Sequence, residues 1–229
     1  MSASHPQAGQ LPRGGSILSN RLKEAGRALL APLVRLAQRL GITPNGVTVI
    51  GFVVVAFAAG MVAFGQLLGG AAVLVAGSLL DAVDGALARA TGGTTAFGGF
   101  LDSTLDRAAE AILYAGVVVY FLRSEADPIG PVVVALAALC GSFMVSYTRA
   151  KAEAFGISAA VGLAPRTERL VLVVAGIALA GLGIGFGLIG AIGIVAALAA
   201  ATTIQRIWHV QREMTELPAV SRVDSTEER

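Results

Sequence analysis

Asp81-Ala-Val-Asp84-Gly85-Ala-Leu-Ala88-Arg89, then eight residues, then Gly98-Gly-Phe-Leu-Asp102-Ser-Thr-Leu-Asp106, is the stretch on which the reading of this 229-residue chain turns. Asp81 and Asp84 are three apart and Asp102 and Asp106 four apart, so each pair lies on one face of a helix. Both pairs fall inside apolar windows of membrane-spanning length, at 69–89 and 101–122. An Asp at the centre of a membrane helix costs about 2.5–3.5 kcal/mol even on the gentler insertion scales, so four of them need compensation. Clustered like charges oppose one another's ionisation, and a bound divalent cation is the simplest way to keep several ionised. Oxygen-only ligands favour a hard ion such as Mg²⁺ or Mn²⁺, and no His or Cys stands nearby to favour zinc.

Outward from this stretch the chain stays apolar. It is 55% hydrophobic and 14% charged, with a mean hydropathy of +0.75, which excludes a chain whose surface faces water on all sides. Further windows near the ~20 residues a spanning helix needs lie at 47–65, 130–150, 170–185 and 187–205. The expected fold is therefore an all-α integral membrane protein with six transmembrane helices. The last two windows are separated only by a break placed near Gly183–Gly187, in a segment, 176–193, that holds seven glycines.

Charge placement sets the expected orientation. With the N-terminus in the cytoplasm, sixteen of the seventeen Lys and Arg residues fall on the cytoplasmic side and only Arg123 falls outside. That predicts a multi-pass protein of the cell membrane with both termini and the acidic site facing the cytoplasm. A net charge of +2 is too small to point to nucleic acid and is explained by anionic lipid beside a basic surface. Cys140 is the lone cysteine, so no disulfide framework exists.

The ends read differently. Residues 1–15 are polar, lack the apolar core of a signal peptide and are expected to be disordered. Residues 16–40 read as an amphipathic juxtamembrane helix lying on the membrane surface, with Pro32 as a kink point. Gly41–Asn45 breaks it, and Pro44 suits the start of the next helix. Residues 41–212 form the expected six-helix catalytic domain and 213–229 a polar cytoplasmic tail without a fold of its own.

The acidic stretch resembles the signature of the CDP-alcohol phosphotransferases, D-x2-D-G-x2-A-R-x8-G-x3-D-x3-D. All eight fixed positions are present at the family's spacing: Asp81, Asp84, Gly85, Ala88, Arg89, Gly98, Asp102 and Asp106. The resemblance covers roughly residues 40–210. It implies transfer of a phosphatidyl group from CDP-diacylglycerol to an alcohol, with CMP as leaving group. It also implies two metal ions, Mg²⁺ with Mn²⁺ as the alternative, one held by Asp81, Asp84 and Asp102 and the other by Asp81, Asp102 and Asp106. Asp106 is then the general base. By the same matching Gly85, Arg89 and Thr95 contact CDP-diacylglycerol, and Asn45, Gly46, Val47 and Thr48 close over the nucleotide. Family members are homodimers.

A second basic cluster bears on the acceptor. Ser146 and Arg149 end the fourth window, Arg169 opens the fifth and Arg206 closes the sixth, all at the cytoplasmic level of the acids. Such a cluster suits an acceptor that is itself a phosphate ester; for Lys151 and Arg166 an ordinary positive-inside flank serves equally well. The run Ser146-Tyr-Thr-Arg149-Ala-Lys-Ala-Glu153 looks most like the phosphatidylinositol phosphate synthases of actinobacteria and their archaeal counterparts. In those the acceptor is inositol phosphate, and a Lys or Arg at the position of Arg149 binds its phosphate. Glycerol 3-phosphate, the acceptor of phosphatidylglycerophosphate synthases, would meet the same arginines. From a different class, a transporter with an intramembrane acidic site would also place carboxylates in spans.

Overall fold

The computed structural model describes residues 30–93, 95–163 and 165–216. Residues 1–15, residues 16–29 of the expected surface helix and residues 217–229 of the expected tail lie outside them. The described residues form helices and no strands: α1 (residues 30–39), α2 (Pro44–Ala63), α3 (Leu67–Thr91), α4 (Ala96–Ser124), α5 (Ile129–Ala154), α6 (Arg166–Gly181) and α7 (Phe186–Glu216).

Local chemistry explains the boundaries nearest the acids. The Thr43 hydroxyl accepts from the Gly46 amide at 3.2 Å, and Pro44 stands in the first turn of α2, where its missing N–H costs nothing. Gly92 ends α3 at φ +64°, the left-handed conformation that glycine adopts freely. Three residues later the Thr95 hydroxyl caps α4 by accepting from Gly98 at 2.9 Å. The turn between α6 and α7 covers residues 182–185, within two residues of its expected place, with Gly183 at φ +89°.

Two groups of helices make the bundle. α2 packs against both α3 and α4, and α7 against both α5 and α6; α3–α6 and α4–α5 contacts join the groups. The main core contains Val62, Leu74, Tyr114, Val117, Ile177 and Ile192, all 2% exposed or less. Close backbone approach helps to build it: a Cβ at Gly116 of α4 would run into the Ala59 backbone of α2. The outer faces are apolar, with Val53, Phe57, Val133 and Val171 each more than half exposed, as expected of a surface that meets lipid. In α1, Leu30, Val34 and Ala37 pack on Val47, Val83 and Leu87, while Leu36 remains exposed, as does Leu40 just past the helix end.

Among the described residues, four helices, α2, α3, α5 and α7, are long and apolar enough to cross a membrane, in agreement with a helical integral membrane protein. The other two expected spans depart from that pattern for visible reasons. The first half of α4 carries Asp102, Asp106, Arg107 and Glu110, and α6 has only 16 residues. The far end of α7 differs from the expected boundary at 212. The helix continues through 216, so that residues 213–216 of the expected tail belong to it.

Candidate metal and substrate site

The signature carboxylates of α3 and α4 converge without close packing of the two helices themselves. Those two helices are not a closely packed pair; α2 lies against both, and the acids face one another across the space left between. Carboxylate oxygens of Asp81, Asp102 and Asp106 lie within 4.8 Å of one another. The same three residues make up one of the two ligand sets that the family resemblance implies. Three hard oxygens at this separation, drawn from two helices, fit a divalent cation of the Mg²⁺ or Mn²⁺ class. Asp84, 8% exposed, stands beside the triplet, and the Thr48 hydroxyl donates to its Oδ2 at 2.9 Å, which fixes the carboxylate's orientation.

On one side of the triplet is a cavity of ≈ 200 Å³ bounded by the starts of α2 and α4 and the end of α3. Asn45, Thr48, Asp84, Gly85, Thr95, Gly98 and Asp102 line it. The motif's glycines shape its walls. A Cβ on Gly98 would stand 3.1 Å from Asn45 Oδ1, and one on Gly85 would stand 3.3 Å from Arg89 Nη1. The exposed Arg89 side chain therefore folds across Gly85 at the cavity's edge, and a larger residue at 85 would push it away. Gly46 and Val47 are not in the lining: the Gly46 amide is engaged by Thr43, and Val47, 4% exposed, packs beneath α1. The Thr95 hydroxyl is spent on the α4 cap, although the residue borders the cavity.

On the other side a broader groove runs between α4 and α5, lined by Asp102, Asp106, Arg107, Ser146, Arg149 and Glu153, among others. Asp102 borders both spaces. Of the four residues expected to meet an acceptor phosphate, the structure puts Ser146 and Arg149 in this groove. Arg149, exposed, pairs with Glu153 at 2.8 Å. Arg169 is 2% exposed and lies 3.4 Å from Glu110. Arg206 is committed elsewhere: its guanidinium donates to the carbonyls of Val161, at 2.9 Å, and of Val145, which ties the loop before α6 to α5. It lies within electrostatic reach of Arg149 and Arg169 without lining the groove.

Two site residues, Arg107 and Glu110, escaped the sequence reading, and a third, Arg166, was left open between the acceptor cluster and a flank. Arg107 donates to Ser146 Oγ at 3.0 Å and stands 3.6 Å from Asp106 Oδ2. Arg166, which hydropathy could not separate from a flanking charge, reaches Asp81 Oδ2 at 3.2 Å and Asp106 Oδ1 at 2.8 Å. Glu110 did carry a signal, since it extends the Asp102–Asp106 stripe by four residues within an apolar window.

Comparison with known proteins agrees with this geometry. The family model described as CDP-alcohol phosphatidyltransferase matches residues 41–205. The archaetidylinositol phosphate synthase of Methanothermobacter thermautotrophicus is 38% identical over 89% of this chain and all of its own length. The phosphatidylinositol phosphate synthase of Streptomyces avermitilis is 32% identical over 97% of this chain and 94% of its own. Among solved structures, Mycobacterium tuberculosis phosphatidylinositol phosphate synthase with CDP-DAG bound superposes with a TM-score of 0.74 at 30% identity, covering 80% of this chain and 94% of that one. The same mycobacterial enzyme in complex with manganese and citrate also gives 0.74, at 31% identity over 80% and 88% of the two chains.

Proposed function

The chain belongs to the CDP-alcohol phosphatidyltransferase family, and from that premise we propose that it is a phosphatidylinositol phosphate synthase. It converts CDP-diacylglycerol and inositol phosphate into phosphatidylinositol phosphate and CMP. The observation that carries this reading is that two separate spaces meet on one acidic group: Asp102 borders both the glycine-walled cavity and the arginine-bearing groove. A transferase needs that arrangement, with donor and acceptor on opposite sides of the reacting phosphorus, whereas an ion path needs neither the glycine walls nor the groove.

In the proposed assignment the cavity takes the nucleotide end of CDP-diacylglycerol. Asn45, Thr48 and Thr95 border the nucleotide, Gly85 admits the pyrophosphate close to the backbone, and Arg89 meets a phosphate with its fork of donors. Asp81, Asp84, Asp102 and Asp106 would hold two divalent ions, Mg²⁺ or Mn²⁺, which when bound neutralise pyrophosphate charge and stabilise the leaving oxygen. Asp106 takes the proton of the acceptor hydroxyl as its oxygen attacks the β-phosphorus; the bond from that phosphorus to the CMP oxygen breaks, and CMP leaves with the electron pair. Ser146 and Arg149, joined by Arg107, hold the acceptor's phosphate in the groove, and Arg169 and Arg206 add positive charge behind it.

Six spans support this chemistry, with α4 and α6 completing the crossing set and α1 lying on the cytoplasmic surface of the cell membrane. The positive-inside pattern supports both termini and the site facing the cytoplasm. The chain works as a homodimer in this reading, as its family resemblance implies.

The choice of acceptor is tested by giving the purified protein CDP-diacylglycerol, Mg²⁺ and equal concentrations of inositol phosphate and glycerol 3-phosphate, and weighing the lipid product by mass spectrometry. The expected product is phosphatidylinositol phosphate. Phosphatidylglycerophosphate as the main product would retain the mechanism and replace the acceptor.

A further inference from the structure

Arg166 approaches the acid triplet from a third helix and joins its two ends, Asp81 of α3 and Asp106 of α4, at 3.2 and 2.8 Å. Its position is built in. The loop before α6 is held by α7, through Thr202 accepting from the Leu163 amide at 3.2 Å and Arg206 donating to Val161. One turn along α6, the buried Arg169 meets Glu110, one turn along α4 from Asp106. Arg166–Asp106 and Arg169–Glu110 are thus two rungs between the same faces of α6 and α4, and together they fix how far Arg166 reaches into the site.

The carboxylates that Arg166 joins are the same ones that would ligate a divalent ion. A guanidinium at hydrogen-bonding distance offsets their mutual repulsion, and its charge opposes a second cation in the same cluster. We infer that Arg166 is a built-in competitor of the metal: it holds Asp81 and Asp106 together when no ion is bound, and it makes ion binding weaker than the four acids alone would give. The inference rests on the reading of the acidic cluster as a metal site. It assigns Arg166 a positioning and affinity-setting role that a flanking charge would not have.

The test is Mn²⁺ binding, followed by the electron paramagnetic resonance of free Mn²⁺, for detergent-solubilised wild type, R166Q and R166K. Thermal-unfolding midpoints are taken for each in EDTA and in saturating Mn²⁺. R166Q is expected to bind Mn²⁺ about tenfold more tightly than wild type, and R166K, which keeps the charge, within about threefold of it. In EDTA the R166Q midpoint falls below that of wild type, and saturating Mn²⁺ closes the gap. R166Q is purified in Mn²⁺, which on this inference stabilises it. Wild type that binds Mn²⁺ while R166Q binds it equally or more weakly overturns the inference alone, as does R166Q that fails to fold even in saturating Mn²⁺. Wild type that binds no Mn²⁺ overturns the metal reading and the inference with it.

Discussion

Asp106→Asn is expected to lower turnover by about 10²–10⁴-fold, the range that a positioned general base contributes, with little change in the KM for CDP-diacylglycerol. Asp106 is last in the acidic stretch and faces the acceptor groove, whereas the glycine-walled cavity is bordered by Asp84 and Asp102. One of its oxygens is engaged by Arg166 and the other lies toward Arg107, on the side where an acceptor would arrive. Asparagine keeps a ligand oxygen and the shape of the side chain but cannot take a proton at neutral pH. Mn²⁺ binding measured on the same variant separates the two functions of the residue. Loss of turnover with ion binding retained assigns the base; loss of both would make Asp106 chiefly a ligand.

Arg149→Ala gives the second large effect. The KM for inositol phosphate is expected to rise about ten- to a hundredfold, as when a charge-assisted hydrogen bond worth about 1.5–3 kcal/mol is lost, while the KM for CDP-diacylglycerol stays the same. Arg149 now pairs with Glu153, four residues on, at an exposed position, and such pairs are worth well under 1 kcal/mol. A phosphate can displace that partner at little cost. Glu153→Gln removes the competitor and should therefore move the acceptor KM in the opposite direction, downward. Initial rates across both substrates check the pair. A rise in both KM values for Arg149→Ala would mean that the residue supports the site as a whole.

The sequence carried the parts of this fold that depend on local chemistry and period. Thr43-Pro44 opens α2, the Gly183 turn separates α6 from α7, and the three- and four-residue spacings put each acid pair on one helical face. How the two acidic helices stand relative to each other did not follow from period. Spacing assigns a face to a helix but does not say that α2 occupies the contact with both α3 and α4, and so it did not reveal the gap that α6 fills with Arg166. Hydropathy could not distinguish Arg166 from a flank, because a site arginine and a flanking arginine stand at the same depth at helix ends. Arg206 shows the related limit that charge and depth do not say which acceptor is nearer; its guanidinium donates to the backbone carbonyls of Val161 and Val145 and does not line the groove. Val47 and Gly46 follow the same pattern. They are neighbours of Thr48 in sequence, yet a helix turns its residues by about 100° each, and of residues 45–48 Asn45 and Thr48 alone line the cavity.

The central claim is that the acidic group of α3 and α4 cleaves CDP-diacylglycerol only in favour of an alcohol. It is tested most directly by measuring CMP release by the purified protein in Mg²⁺, before and after inositol phosphate is added. The account predicts negligible release before the addition, rapid release after it, and none in EDTA. Release that is equally fast without an alcohol would make the protein a hydrolase, and silence with inositol phosphate, glycerol 3-phosphate and free inositol alike would contradict the transferase account.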